Sequence, residues 1–472
     1  MSLSTGTYLI FLIACLILHD LLPKRFRNVS LLLASVAFFL YAMPAQTVVM
    51  LLICLGVYLL GWMIHAYNGK KQKILTVFGI LLVTGILVVY KYLPFLASLF
   101  GSRLDTGVFS LVAPLGISYV TFQCIAYLTE VYRGNIEPET DPVDFLVYAL
   151  FFAKLTAGPI EAPVTFLHQL KQPRACTVSD AKRAFLRIAM GFVKKIAVAD
   201  VIAPCVDAVY AGPAPSGWES FLAIVLYTVQ ILYDFSGYTD IARGSAALFG
   251  IGLTENFDAP YRARSIREFW KRWHISLTTW LRTYVFFPLG GSRVSTWKRY
   301  RNILVVFLVS GIWHGASVTY VVWGLMHGLL QIAEMLLDRP MDKLCSRISI
   351  SRNAPVLSAF AWVRTMILVA IGWVFFRAAS LEGALSVLAG LFGSWGSLSS
   401  AMEHCGMDWT ALVLALAGIV YAAGMDRKLS RDKGSSAGDT LALCAVSAWA
   451  VLLLWLVNAA SGVVSSFIYF EF

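Results

Sequence analysis

The chain has 472 residues, 58% of them hydrophobic and 14% charged, with a mean hydropathy of +0.72. A soluble domain is about 45–50% apolar and about 25% charged, so a soluble fold is excluded and one polytopic membrane domain over residues 1–472 is expected. The net charge of +11 does not imply nucleic acid: the basic residues lie in short clusters between apolar runs, where they favour the cytoplasmic side and face anionic membrane lipid.

In chain order, the spacing predicts spans over Tyr8–Leu22, Val29–Tyr41, Thr47–Tyr67, Ile74–Tyr90, Phe145–Ala157 and Phe185–Val201. Further spans are expected over Phe221–Phe235, Asn302–Trp313, Val318–Leu337, Val356–Phe376, Ala411–Ala423 and Leu441–Val457. A straight crossing takes about 20 residues, so the shorter ones are expected to tilt, re-enter or lie between other helices. The first span has no basic segment before it and is read as a retained helix. Lys24, Arg25 and Arg27 follow it, and Lys70, Lys71 and Lys73 follow the third span. Two spans separate these loops, so both can face the cytoplasm. The linker carrying Arg427, Lys428, Arg431 and Lys433 is placed on the same side, which puts the C-terminus outside.

Eight scattered cysteines include no CxxC pair. No disulfide framework and no structural metal are expected. Neither a G-x-S-x-G elbow nor an HExxH motif nor a P-loop is present. The chemistry that remains is acid–base. His274 stands in Phe269-Trp270-Lys271-Arg272-Trp273-His274, and His314 in Gly311-Ile312-Trp313-His314-Gly315. Ionisable groups at membrane depth are costly and tend to mark a cavity or pathway, and histidine exchanges protons near neutral pH. Gly311 and Gly315 permit close approach beside His314.

Between Pro260 and Leu289 the apolar pattern breaks. Arg262, Arg264, Arg267, Lys271 and Arg272 stand against Glu268 alone, interleaved with Phe269, Trp270, Trp273 and Trp280. This suits an amphipathic interfacial helix; a snorkelling surface helix is the plainer alternative. Asp234 and Asp240 either orient a histidine, pair with arginine or mark a helix end. Lys194 and Lys195 read as snorkelling from an interface. No internal repeat is evident, which counts against a transporter built from inverted repeats.

Together these segments resemble the membrane-bound O-acyltransferase superfamily. The branch is that of the bacterial alginate O-acetyltransferases, with the peptidoglycan and cellulose acetylation proteins and the teichoic-acid D-alanyl transferase. The resemblance rests on Pro114–Gln123, Ala157–Ile160, Gly191–Lys195, Asp234–Asp240, Asn256-Phe257, Pro260-Tyr261, Phe269–His274, Pro288–Gly291, Gly311–Gly315 and Trp373–Arg377. It implies an all-α ring of tilted transmembrane and re-entrant helices around a central tunnel. It implies His314 as the catalytic residue, His274 as a second functional position, and Trp313, Asp234, Gln123 and Asn256 along the tunnel. It places the donor site at Arg262, Arg264, Arg267, Lys271 and Arg272.

The implied reaction moves an acetyl group from a cytoplasmic thioester across the bacterial inner membrane, for O-acetylation of an exopolysaccharide or cell-wall glycan. Acetyl-CoA is the expected cosubstrate, with an acyl-carrier protein or D-alanyl donor as the alternative. No cofactor is implied, and an extracytoplasmic polysaccharide acetyltransferase is the expected partner. The tail Phe467-Ile468-Tyr469-Phe470-Glu471-Phe472 resembles a C-terminal Phe-x-Tyr motif of this family, which implies Tyr469 as a temporary acyl carrier. By composition alone the tail reads as an aromatic interface anchor. A lipid-linked sugar transporter and a non-catalytic export scaffold are the rivals from other classes.

Overall fold

A computed structural model describes residues 3, 5–93, 112–347, 351, 353–431 and 447. The expected span Leu441–Val457, apart from residue 447, and the tail 467–472 with Tyr469 lie outside the described residues. Among the described residues the chain is helical and forms no strand, only an isolated bridge between Phe257 and Trp273.

The helices, in chain order, begin with α1 (Gly6–Leu21), α2 (Arg27–Ala42), α3 (Pro44–Ala66), α4 (Gly69–Leu87), α5 (Ile117–Tyr132) and α6 (Pro142–Leu150). They continue with α7 (Pro163–Lys171), α8 (Val178–Val193), α9 (Asp200–Ala211), α10 (Gly217–Leu248), α11 (Ile266–Arg272) and α12 (Ile275–Leu281). The last are α13 (Thr296–His314), α14 (Val318–Arg347), α15 (Pro355–Arg377), α16 (Leu381–Gly390), α17 (Leu398–His404) and α18 (Trp409–Arg431). Seven helices among the described residues are long and apolar enough to cross a membrane: Lys24–Ala42, Pro44–Ala66, Gly69–Tyr92, Gly217–Leu248, Val318–Arg347, Pro355–Arg377 and Trp409–Arg427. The protein is a multi-pass membrane protein.

Two expected elements come out differently. The run Phe145–Ala157 is no span: α6 stops at Leu150 and the chain turns through residues 152–158. Its apolar character reflects burial, since Phe145 to Ala153 are all buried in protein. The stretch Pro260–Leu289 is no single amphipathic helix. It is broken into a 3₁₀ turn, α11, α12 and a π turn at Arg282–Phe286.

The chain divides into two compact units. One comprises the described residues up to Ile196, Gly237–Thr254 and Ala422–Arg431; the other comprises those of Ala197–Ser236 and Glu255–Tyr421. In the first unit, the Trp62 indole donates to the Glu139 carbonyl at 3.1 Å and the Tyr58 hydroxyl to the Thr140 carbonyl at 2.9 Å. Glu139 pairs with Lys171 at 3.0 Å. Asn28 donates to Asp144 at 2.7 Å and to the Leu170 carbonyl at 3.2 Å. These bonds tie the end of α3 and the start of α2 to the same segments. The basic loops at Lys24–Arg27 and Lys70–Lys73 therefore lie on one side.

In the second unit α13 and α14 approach almost to backbone contact. A Cβ added to Gly311 would meet the Tyr320 carbonyl oxygen at 2.3 Å, and one on Gly324 the Phe307 oxygen at 2.4 Å. Small residues let membrane helices pack this closely. Gly311→Ala is expected to destabilise the protein by roughly 1–3 kcal/mol through overpacking, read as a lower unfolding midpoint in detergent. Gly85→Ala, where a Cβ meets nothing within 4 Å, is expected to hold or raise that midpoint. Equal effects would contradict the close contact.

Candidate active site

His314 is the last residue of α13 and 3% exposed. The face of α13 that carries it follows helical spacing: Phe307, Gly311 and His314 point towards α14. His314 packs edge-on against Trp323 of α14 at 5.2 Å between ring centroids, and against Phe376 of α15 at 5.1 Å. Its neighbour Trp313 lies 4.9 Å from it, also edge-on. Gly315 follows with extended backbone, and the Tyr320 ring occupies the place of a Cβ there, 2.1 Å from it. Tyr320 in turn packs on Phe376 at 5.1 Å.

His274 is 1% exposed and holds a left-handed backbone, φ 44° and ψ 55°. A non-glycine residue adopts that conformation only when its surroundings hold it there. Asn256 does much of this: its carbonyl accepts from the Ile275 amide at 3.1 Å and its side-chain oxygen from the Ser276 amide at 3.1 Å. The Asp258 amide donates to the Arg272 carbonyl at 3.0 Å, completing the short Phe257–Trp273 pairing. The His274 ring then packs on Phe235 at 4.8 Å and on Trp313 at 6.3 Å. The structure therefore brings both predicted histidines into ring contact with one indole, that of Trp313. Asp234 is buried on α10, one residue before Phe235.

Another buried histidine, His327 on α14, escaped the sequence reading. Its Nδ1 accepts from the Trp270 indole at 3.3 Å, so its proton sits on Nε2. It packs on Trp323 at 5.3 Å, the tryptophan that also contacts His314. The signal was present, an ionisable residue inside an apolar span, but no aromatic–basic motif surrounds it.

Gln123 lies in the first unit. Its side-chain oxygen accepts from the Lys154 ammonium, and its carbonyl from the Tyr148 hydroxyl at 3.1 Å. Lys154 is wholly buried, donates to the Tyr148 carbonyl at 2.6 Å and stands 4.5 Å from the Phe166 ring centre. Glu161 accepts from the Thr254 amide at 2.6 Å and its hydroxyl at 3.0 Å. Asp240 marks no helix end; inside α10 it pairs with Lys194 at 2.7 Å and Arg187 at 3.5 Å. Lys194 is thus buried in an ion pair and does not snorkel.

Of the expected donor cations, Arg262, Arg264 and Lys271 are exposed. Arg264 donates to the Ser358 hydroxyl at 3.1 Å. Glu268 is the only acid within the stretch, but the fold brings further acids to it from outside. Arg267 pairs with Asp338 and, at 3.7 Å, with Glu334; Arg272 pairs with Glu268 at 3.0 Å and Asp258 at 3.3 Å. Glu334 and Asp338 come from α14, too far along the chain to register in a local charge count.

The left-handed backbone at His274 gives a test independent of chemistry. Asn tolerates that conformation and a β-branched residue does not. His274→Val is expected to be less stable than His274→Asn by roughly 1–2 kcal/mol, measured as unfolding midpoints in detergent. The reverse order would contradict the positive φ.

The motifs converge with known proteins. Residues 139–372 match the model of the membrane-bound O-acyltransferase family. The chain is 35% identical to the probable alginate O-acetylase AlgI of Pseudomonas aeruginosa, over 88% of this chain and 80% of that protein. It is 33% identical to the peptidoglycan O-acetyltransferase of Helicobacter pylori, over 71% and 68%. It is 29% identical to the teichoic acid D-alanyltransferase of Bacillus subtilis, over 47% and 58%. With two buried histidines about one indole, and relatives of this kind over most of its length, the chain belongs to the membrane-bound O-acyltransferase family and is an acyltransferase.

Proposed function

We propose that the protein transfers an acetyl group from a cytoplasmic thioester, acetyl-CoA, through the inner membrane for O-acetylation of an exopolysaccharide or cell-wall glycan. The observation that carries this reading is the burial of His314 and His274 against Trp313, in a chain whose relatives are named as alginate and peptidoglycan O-acetyltransferases. The shared side of the two basic loops supports placing that side in the cytoplasm. Depth along α13 supports an intramembrane reaction: Arg301 and His314 are thirteen residues apart on one helix, about 20 Å at the α-helical rise.

In this reading His314 takes the proton of an attacking hydroxyl. The hydroxyl oxygen bonds to the thioester carbonyl carbon, the carbon–sulfur bond breaks, and the thiol leaves with a proton returned by His314. A positioned base of this kind contributes roughly 10²–10⁴-fold. The aromatic wall of Trp313, Trp323 and Phe376 keeps water from competing for the acyl group. His274 orients substrate by hydrogen bonding. Tyr469 is the first acceptor; its phenyl ester keeps enough transfer potential to pass acetyl to a polysaccharide acetyltransferase outside.

Purified protein given labelled acetyl-CoA is expected to release CoA and carry acetyl on Tyr469 by mass spectrometry. His314→Ala is expected to lose both signals while reaching the membrane at normal level. Near-normal turnover in that variant would reject His314 as the base. Label on His314→Ala protein at Tyr469 would reject the relay order, and acylation only from a carrier protein would replace CoA as donor.

The ion pairs divide the basic stretch into two kinds of test. Arg262→Glu and Lys271→Glu are expected to raise the KM for the donor with little change in protein level, since both side chains are exposed. Arg267→Glu sets a carboxylate against Glu334 and Asp338 and is expected to lower protein level first. Unchanged donor KM in the first two variants would remove this stretch from the donor site.

A further inference from the structure

Two cysteines far apart in the chain meet in the second unit. Cys205 lies on α9 and Cys405 caps the end of α17, and both belong to one buried core with Met402, Met407, Val374 and Ala384. Their thiols are hydrogen-bonded to each other. The place of Cys405 is fixed by its helix end. Gly406 follows it with φ +62°, the Gly406 amide donates to the Glu403 carbonyl at 3.0 Å, and the Met407 amide to the Met402 carbonyl at 2.9 Å. A glycine in that left-handed conformation closes the helix, and it seats Met402 and Met407 in the same core as the two sulfurs. α9 is fixed on its own side by Arg377, the last residue of α15, which pairs with Asp207 at 2.5 Å.

Both cysteines lie at one end of this unit. The His404 ring, next to Cys405, bonds Glu219 in the first turn of α10 at 2.7 Å. The Gly217 amide there donates to the Ser394 carbonyl at 3.0 Å, and Trp218 packs edge-on against Trp395 at 5.0 Å. α15 reaches this end at Arg377, one residue after Phe376, which touches His314 at the end of α13. The opposite end of α13 carries Lys298, Arg299 and Arg301. The charges in 205–220 and 377–410 are instead Asp207, Glu219, Glu382, Glu403 and Asp408 against Arg377, with His404. Positive charge favours the cytoplasmic side, which supports placing the cysteine end outside.

We propose that Cys205 and Cys405 form a disulfide on the outer side of the membrane, fastening α17 to α9. The inference rests on the inner membrane and its sides as given under the proposed function, and on nothing of the acyl transfer. A bacterial periplasm forms and keeps disulfides, whereas the cytosol keeps thiols reduced. The oxidant is a thiol–disulfide oxidoreductase of the outer compartment, acting while the chain folds and before α9 and α17 cover the sulfurs. The Cys405 thiolate attacks a sulfur of the oxidant's disulfide, and one oxidant thiol leaves. The Cys205 thiolate then attacks the Cys405 sulfur of the mixed disulfide, the second oxidant thiol leaves, and the two cysteine protons end on the oxidant's thiols. The bond closes a long loop, the case in which a cross-link removes most freedom from the unfolded chain. Cys54 and Cys124 make a similar thiol contact in the first unit. Cys54 lies inside the span Pro44–Ala66, and both are buried, at 0% and 1% exposure. That depth keeps a water-borne oxidoreductase away, so this second pair stays reduced and serves as an internal control.

The test reads the thiols of the full-length protein as cells make it. Cells are quenched in acid, the protein is denatured, and free thiols are blocked with N-ethylmaleimide. After reduction the new thiols take iodoacetamide, and each cysteine is read on its own peptide by mass spectrometry. Cys205 and Cys405 are expected to carry iodoacetamide in most molecules, and Cys54 and Cys124 the maleimide. In Cys405→Ser protein, Cys205 is expected to move to the maleimide. Maleimide on both Cys205 and Cys405 in the unaltered protein, or iodoacetamide on Cys205 in Cys405→Ser protein, overturns the bond. A second arm treats purified, reduced protein in detergent with diamide, a small thiol oxidant. If diamide joins two cysteines that cells leave reduced, the contact holds and the outward placement shared with the proposed function fails. If diamide leaves them apart as well, the contact fails and that placement stands.

Discussion

The close contact between α13 and α14 sets the geometry on which the candidate active site depends. Gly311 and Gly324 remove the Cβ atoms that would hold the two backbones apart. Their approach brings the face with Phe307 and His314 onto the face with Tyr320, Trp323 and His327. An imidazole buried in such a place keeps its ring between aromatic edges. The edge-on contacts are worth about 0.5–1.5 kcal/mol each beyond area burial. They also limit which way the His314 ring can turn. Small residues thus supply the position, and large aromatic ones supply the orientation.

His274 reaches the same cluster by an opposite device. α13 delivers His314 from a regular helix end, whereas His274 stands at a break between two seven-residue helices with a backbone that few residues adopt. The strain is held by Asn256 through two amides, those of Ile275 and Ser276. Asn256, wholly buried, therefore fixes the backbone of this break through two acceptor groups. A site assembled from one regular and one strained element gains a fixed distance between its groups that two regular helices of this length would not specify.

Most spans were legible because a helix in lipid must be both long and apolar, and α3, α4, α14 and α15 meet both conditions in plain sequence. The two histidines were legible for the same reason: each is an ionisable group in apolar company. What failed was any inference that treated apolar as lipid-facing. Phe145–Ala157 is apolar because protein surrounds it, and it hides Lys154 with its hydrogen bonds to Gln123 and Tyr148. His327 was missed because its partner Trp270 is fifty-seven positions away. The acids Glu334 and Asp338 were likewise invisible to a count of charges near Arg267. Periodicity reports on one helix at a time, and each of these features belongs to a pair.

Charge placement follows from the cost of burying an ion. An isolated buried charge is too costly to keep, and a paired one must have good geometry and further hydrogen bonds. Lys194 meets that condition through Asp240, while Lys154 is held by hydrogen bonds to Gln123 and Tyr148 and by the face of Phe166. Arg267 and Arg272 are satisfied by carboxylates at 41% and 30% side-chain exposure. Arg187 shares Asp240 with Lys194, and Arg243 donates to the Leu253 carbonyl.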